Sequence, residues 1–230
     1  MKPYIFLTEN YLKYTQDEND NPVDIRTISE QVPYTIDIFF ADRYGNAINR
    51  TIDTLILRDT NIKNMTVAAY VNGAYTTCFT LTGNTQSTVF IKNANTVTTG
   101  ALRITVPDDT YNPADITAQI GVYGFVCNLL ALTDTTYKID ANSGDYRVVS
   151  GSYIHWADYK KWTAKIKMEN VTKEQFNLLT EQADLGEMTV IPYQDLEAEE
   201  IYECAVNREY QYGLDRKTEL FNVELEFNEL

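Results

Sequence analysis

One histidine, three cysteines and 33 carboxylates are the side chains of this 230-residue sequence with the strongest claim to chemistry. A lone histidine, His155, removes multi-histidine metal sites and the HExxH pattern. A Ser-His-Asp triad would need His155 as its base, yet the neighbouring Ser150-Gly-Ser152 is no GxSxG elbow. His155 lies instead in the aromatic, strand-like Tyr153-Ile-His-Trp-Ala-Asp-Tyr159, which suits a structural or surface histidine. Cys78, Cys127 and Cys204 are far apart and form no CxxC pair. An odd, sparse set of this kind reads as reduced thiols in a protein made in the cytosol.

Phosphate-cradling loops are missing, since Gly121-Val-Tyr-Gly124 is too short for a GxGxxG turn. The run Asp17-Glu-Asn-Asp-Asn21 has the acidic start of a calcium loop, but Pro22 and Ile28 stand where the loop needs Gly and Glu. A solvated loop is expected there. Asp195-Leu-Glu-Ala-Glu-Glu200 lies between two predicted strands and reads as a charged hairpin loop. Acid–base work would need one carboxyl in an apolar pocket with a raised pKa. No catalytic, cofactor-binding or metal-ligating residue is assigned, and the expectation is a protein that is not an enzyme and requires neither cofactor nor metal.

The aromatic residues are a further candidate. There are 17 tyrosines and two tryptophans, and such rings stack on sugars and anchor protein interfaces. Trp156 and Trp162 are six residues apart, so an uninterrupted strand would place both on one face. At least one is expected in the core, leaving the other open to an interface or ligand. The formal net charge of −14 argues against nucleic acid, whose phosphates are bound through Lys and Arg. It also argues against an anionic membrane surface. The stretch Phe125–Leu132 is far short of the roughly 20 apolar residues of a membrane helix. Met1–Leu7 runs directly into Thr8-Glu-Asn10, without the apolar region of a secretion signal.

The elements that must position these residues divide into two kinds. Residues 1–145 hold 23 of the 28 threonines and 3 of the 16 glutamates. Threonine favours strands and glutamate favours helices and solvated faces. Alternation predicts strands at Tyr34–Phe39, Ile52–Leu57, Thr66–Val71, Ser87–Ile91, Ala101–Val106 and Ile116–Tyr123. Asn72-Gly73 is a hairpin turn signal. Residues 14–30 read as a long exposed loop, and Thr133 to Gly144 as a polar joint. Beyond it, Ala164, Ile166 and Met168 share a strand face. One helix is predicted over about residues 173–184. Thr172 and Gln175 form its capping box, Val171 and Phe176 its staple, and Gly186 its stop. A last strand puts Phe221, Val223, Leu225 and Phe227 on one side. Its terminal position makes it a candidate open edge.

The segment Arg50-Thr-Ile-Asp-Thr-Leu-Ile-Leu-Arg-Asp-Thr-Asn61 followed by Met65-Thr-Val-Ala-Ala-Tyr-Val71 resembles the early core strands of galactose-binding-like (discoidin-type) jelly rolls. The version here is similar to domains of bacteriophage tail structural proteins, in which the jelly roll ends in a strand like Gln119–Val126. There a connector leads into a small α+β domain related to tail-tube and distal-tail folds. The resemblance implies a mainly β chain: a jelly-roll sandwich over 1–136, a connector over 137–149 and an α+β assembly domain over 150–230. It further implies a non-enzymatic structural part of a phage virion, in the tail or baseplate, made in the host cytoplasm. The expected partners are copies of itself and other virion proteins. The alternative is a carbohydrate-binding adhesion module, using loop tyrosines from Tyr70 to Tyr75 or around Tyr111.

Overall fold

Alternating apolar and polar residues make the described residues fold mainly into strands. A computed structural model describes residues 3–130, 136–147, 153–192, 201–207, 211–215 and 218–230, with 136–147 and 153–160 described by their backbone alone. The first elements are β1 (Pro3–Leu7), a 3-10 turn (Tyr11–Lys13), β2 (Thr15–Gln16), β3 (Pro22–Val23), β4 (Thr27–Gln31) and β5 (Tyr34–Phe40). Next come β6 (Arg50–Arg58), β7 (Met65–Val71), β8 (Ala74–Leu81), β9 (Val89–Thr99), β10 (Ala101–Val106), β11 (Asp115–Tyr123) and β12 (Phe125–Leu130). The remainder are β13 (Thr136–Arg147), β14 (Tyr153–Val171), helix α1 (Lys173–Leu185), β15 (Glu187–Ile191), β16 (Tyr202–Val206), β17 (Gln211–Asp215) and β18 (Leu220–Glu229).

Residues 7–125 form most of one compact unit, and residues 1–6 and 126–194 with 200–230 form the other. In the first unit, β4 to β11 are shared between two antiparallel sheets. One is ordered β4-β11-β6-β9 and the other β3-β2-β5-β10-β7-β8. Eight strands shared out in that order make a jelly roll. Its core lies between the sheets, where Ile38, Leu102, Ile104 and Val67 of one face Leu55, Leu57, Ile116 and Val122 of the other. The hairpin between β7 and β8 is the two-residue turn expected, with Val71 opposite Ala74. Asn72 and Gly73 both take positive φ there, 52° and 86°, the geometry that Asn-Gly adopts at least cost.

The second unit is a sheet ordered β12-β1-β15-β16-β18-β14-β13, antiparallel from β15 to β13, with β17 also antiparallel on β18. Helix α1 buries Leu179 and Ala183 in a core that includes Met188, Leu225 and Phe227. Its start is as the sequence predicts. Thr172 Oγ1 accepts from the Gln175 N–H at 3.2 Å, and the Gln175 side chain accepts from the Thr172 N–H at 3.0 Å. Gly186 ends it at φ 93°, a left-handed conformation that glycine reaches without a Cβ clash. Ala164, Ile166 and Met168 are buried on one face of β14, and Val223, Leu225 and Phe227 on one face of β18.

Four expectations are changed by the structure. Residues 14–30 contain β2, β3 and β4, with Thr15, Ile25 and Ile28 buried. Their apolar residues come singly, too sparse for an alternation signal, and the strands are made by pairing with β5 and β11. From Thr136 on, the polar joint is the long strand β13, whose partner is β14. The final strand is not an edge, because β18 lies between β16 and β14. Trp156 and Trp162 lose their even spacing, since the register between β13 and β14 shifts after Asn142. In the backbone register Trp156 then pairs with Gly144 and Trp162 with Ile139, five steps away along β13. Trp162 is a core residue, stacked on Tyr202 with ring centroids 4.5 Å apart.

One core position is imperfect. Thr189 of β15 is fully buried, and its hydroxyl has no hydrogen-bond partner among the described residues. Thr189→Val keeps the branched shape and removes the unpaired group. A gain of about 1 kcal/mol is expected, seen as a higher urea midpoint at unchanged slope. A lower midpoint would show that the hydroxyl is satisfied in solution.

Candidate functional site

The β2–β3 hairpin and the β5–β6 loop are built on the same five-residue device. Asp17 Oδ1 accepts the N–H groups of Asn19 and Asn21 at 2.8 and 2.9 Å, and the Asn21 amide returns to the Asp17 carboxylate. Asp42 does the same with the N–H groups of Tyr44 and Asn46, at 2.8 and 3.0 Å, and with the Asn46 amide. An Asp or Asn side chain that bonds the backbone two to four residues on closes such a turn. The side chain of Asn21 holds the Asp17 carboxyl below its ordinary pKa, and that of Asn46 does so for Asp42. The acidic run that begins at Asp17 is thus a self-satisfied turn. No group of three or more His, Cys, Asp or Glu suited to a metal is present among the described residues.

Gln16 ties the two turns together, its Nε2 donating to the Gly45 carbonyl at 3.1 Å. Gly45 has φ +85°, and a Cβ there would stand 3.3 Å from that Nε2, so both the fold and the contact favour glycine. The segment leading into β2 is fixed by Asn10. Its Oδ1 accepts the N–H groups of Leu12 and Val122, each at 3.2 Å. Between the two turns lies an open cleft of about 380 Å³, lined by Lys13, Tyr14, Gln16, Asp24, Asp42 and Arg43 over Val23 and Ala41. That size suits a small molecule or a short segment of a chain.

The cleft has two cationic and two anionic side chains, so it is locally balanced in a strongly acidic protein. Asp24 is held by Arg26 through two bonds of 3.0 and 2.7 Å, which lowers its pKa. Both cleft carboxylates are therefore ionised at neutral pH. Neither has the raised pKa of a general acid. What the cleft offers a ligand is a set of fixed donors and acceptors beside an aromatic wall. Arg43 stacks on the exposed ring of Tyr44 at 4.8 Å and stands at the rim.

The outer face of the β5-β10-β7-β8 sheet continues from this cleft. Gln16 pairs with Phe39, and Phe39 with Ala101. Beyond them Tyr70 and Tyr75 face each other across the hairpin, with ring centroids 5.2 Å apart and planes tilted by 60°. Arg103 forms a two-bond pair with Asp37, at 2.6 Å each, and lies 4.1 Å from the Tyr75 ring. That guanidinium holds the Asp37 carboxyl low.

Of the residues singled out from sequence, the structure brings Tyr70 and Tyr75 together. Tyr111 is 70% exposed on the loop before β11 and belongs to neither surface. His155 pairs with Asp145 across β13 and β14, and its side chain lies outside the described residues, as do Ser150-Gly-Ser152 and Asp195–Glu200. The three cysteines are free thiols. Burial pushes Cys78 up to about 11 and Cys127 up to about 12, and raises Cys204 as well. Thiols so raised are poor nucleophiles at neutral pH. The cleft itself was missed by sequence reasoning. Its one signal was the recurrence of Asp-x-x-x-Asn at 17–21 and 42–46.

No family model and no curated protein matches the chain. Among solved structures, the family 32 carbohydrate-binding module of Streptococcus pneumoniae EndoD is similar over 43% of this chain and 75% of its own, at 14% identity and a TM-score of 0.36. A putative alpha-L-fucosidase from Bacteroides thetaiotaomicron is similar over the same share of this chain, at 19% identity and a TM-score of 0.32, and the match spans 21% of that enzyme.

Proposed function

We propose that the chain is a non-catalytic binding protein whose jelly roll takes a carbohydrate in the cleft between the two Asp-closed turns. The observation that carries this reading is the cleft itself. Lys13 and Arg43 supply donors, Asp24 and Asp42 supply ionised acceptors, and Tyr14 supplies a ring, with Asp42 and Arg43 on a turn locked by its own side chains. A polyhydroxylated ligand needs that mixture, because each hydroxyl both donates and accepts. The balance of charge suits a neutral sugar better than an anionic one. Pre-set turns also lessen the ordering that binding must pay in entropy.

Arg43 is exposed at the rim, so Arg43→Ala tests the site without disturbing the fold. Screening on a glycan array followed by calorimetry is expected to find a neutral sugar. Arg43→Ala should weaken it at least tenfold at an unchanged melting temperature, the usual scale for losing a charged hydrogen-bond partner. An array without a hit, or full affinity in the variant, would refute the reading.

A second reading is a structural virion protein that assembles through the C-terminal unit. One observation favours it: Tyr212 and Leu214 of β17 are 61% and 51% exposed. Light scattering after size exclusion separates the two, since a discrete closed multimer well above the 26.3 kDa monomer would favour assembly.

A further inference from the structure

The cleft does not end where its turns end. Paired residues on neighbouring antiparallel strands point to the same face, so Gln16, Phe39, Ala101 and then Tyr70 and Tyr75 form one row across the outer sheet, in which Gln16 and Ala101 are buried and the rings of Phe39, Tyr70 and Tyr75 reach the surface. The row crosses from β2 to β8, four strand spacings or about 19 Å. Beside it, Asp37 and Arg103 satisfy and neutralise each other. A second row places Thr35 opposite Thr105 and Thr105 opposite Thr66. The face is therefore aromatic, hydroxyl-lined and without net charge, in a protein whose overall charge is −14. Small Ala68 lies between Arg103 and Thr77 and leaves the middle shallow. Tyr70 is 46% exposed, so its ring is available.

We infer that this face is a track for the internal rings of a neutral, linear glycan chain whose one end occupies the cleft. The inference rests on the cleft reading and extends it from a single sugar to an oligosaccharide. Tyrosine rings bind the apolar faces of pyranoses, and threonine hydroxyls and the Asp37–Arg103 pair meet their edges. Anionic chains are disfavoured by the protein's charge. The 60° tilt between Tyr70 and Tyr75 is an edge contact between the two rings, and does not match the flat surface of a crystalline polysaccharide.

The test is calorimetry with neutral galactose, glucose and mannose oligosaccharides, from disaccharide to hexasaccharide, on the full chain. For the series that binds, affinity is expected to rise about tenfold or more with length. Tyr70→Ala and Tyr75→Ala should each remove most of that rise and leave the disaccharide affinity in place. Both are surface truncations, and unchanged melting verifies the fold. Binding that is independent of length and indifferent to both variants overturns the track and leaves the cleft reading intact. Failure of every oligosaccharide to bind overturns both. A doubling of mass with concentration that Tyr70→Ala abolishes would show a second copy on this face, and would also overturn the track.

Discussion

Deleting residues 218–230 is expected to abolish the folded C-terminal unit, although only the last strand is lost. That strand, β18, is interior: it pairs with β14 from Val171 to Thr163 on one side and with β16 and β17 on the other. Removing it leaves two pieces of sheet with unpaired backbone groups, each of which costs free energy when buried. It also empties the core of Val223, Leu225 and Phe227, all buried. The Phe227 ring lies 5.8 Å from that of Phe6. Phe227→Ala alone should cost about 3–5 kcal/mol, the usual range for a buried phenylalanine. The outer face loses less. There Lys165 bonds Glu224 at 2.7 Å in a half-exposed pair, and such pairs contribute little. Circular dichroism and urea melting check the deletion. A truncated protein with the native spectrum and midpoint would contradict the assigned role of β18.

The second large effect is expected at a single side chain in the sandwich. Asn112 uses its whole amide: Oδ1 accepts the N–H groups of Lys63 and Asn64 at 2.8 and 3.0 Å, and Nδ2 donates to the carbonyls of Asn64 and Pro107 at 3.1 and 3.0 Å. It is buried, and thereby fastens the loop before β7 to the loop after β10. Asn112→Ala leaves four backbone groups without their partner. With about 1–3 kcal/mol for each group that stays dry, and water reaching some of them, a loss of about 2–4 kcal/mol is expected. Asn112→Asp is the sharper test. It keeps the shape but turns an oxygen toward two carbonyls, so it should be no better than alanine at neutral pH and improve as the new carboxyl is protonated. Urea unfolding at two pH values reads this. A midpoint within experimental error of the parent protein in both variants would dismiss the bridging role.

What could be read from the sequence is what a residue's near neighbours decide. Alternation gave the buried faces of β5, β14 and β18, because the side-chain period of a strand is two wherever the strand lies. Thr172, Gln175 and Gly186 gave the ends of α1, because capping bonds span three or four residues. Asn72-Gly73 gave its hairpin, because the turn's dihedrals are its own.

Partnership was decided only by the tertiary structure. Alternation says which face of a strand is apolar but not which strand lies beside it, so β18 looked like an edge and is interior. Pro3–Phe6, far in sequence from the C-terminal unit, enters its sheet between β12 and β15, where Phe6 becomes core. The strands within residues 14–30 exist because β5 and β11 supply their hydrogen bonds, not because of a local pattern. The cleft follows from the same limit. Asp17 and Asp42 each close a turn that is legible on its own, but their adjacency comes from β2 pairing with β5, and chain spacing holds no record of that pairing.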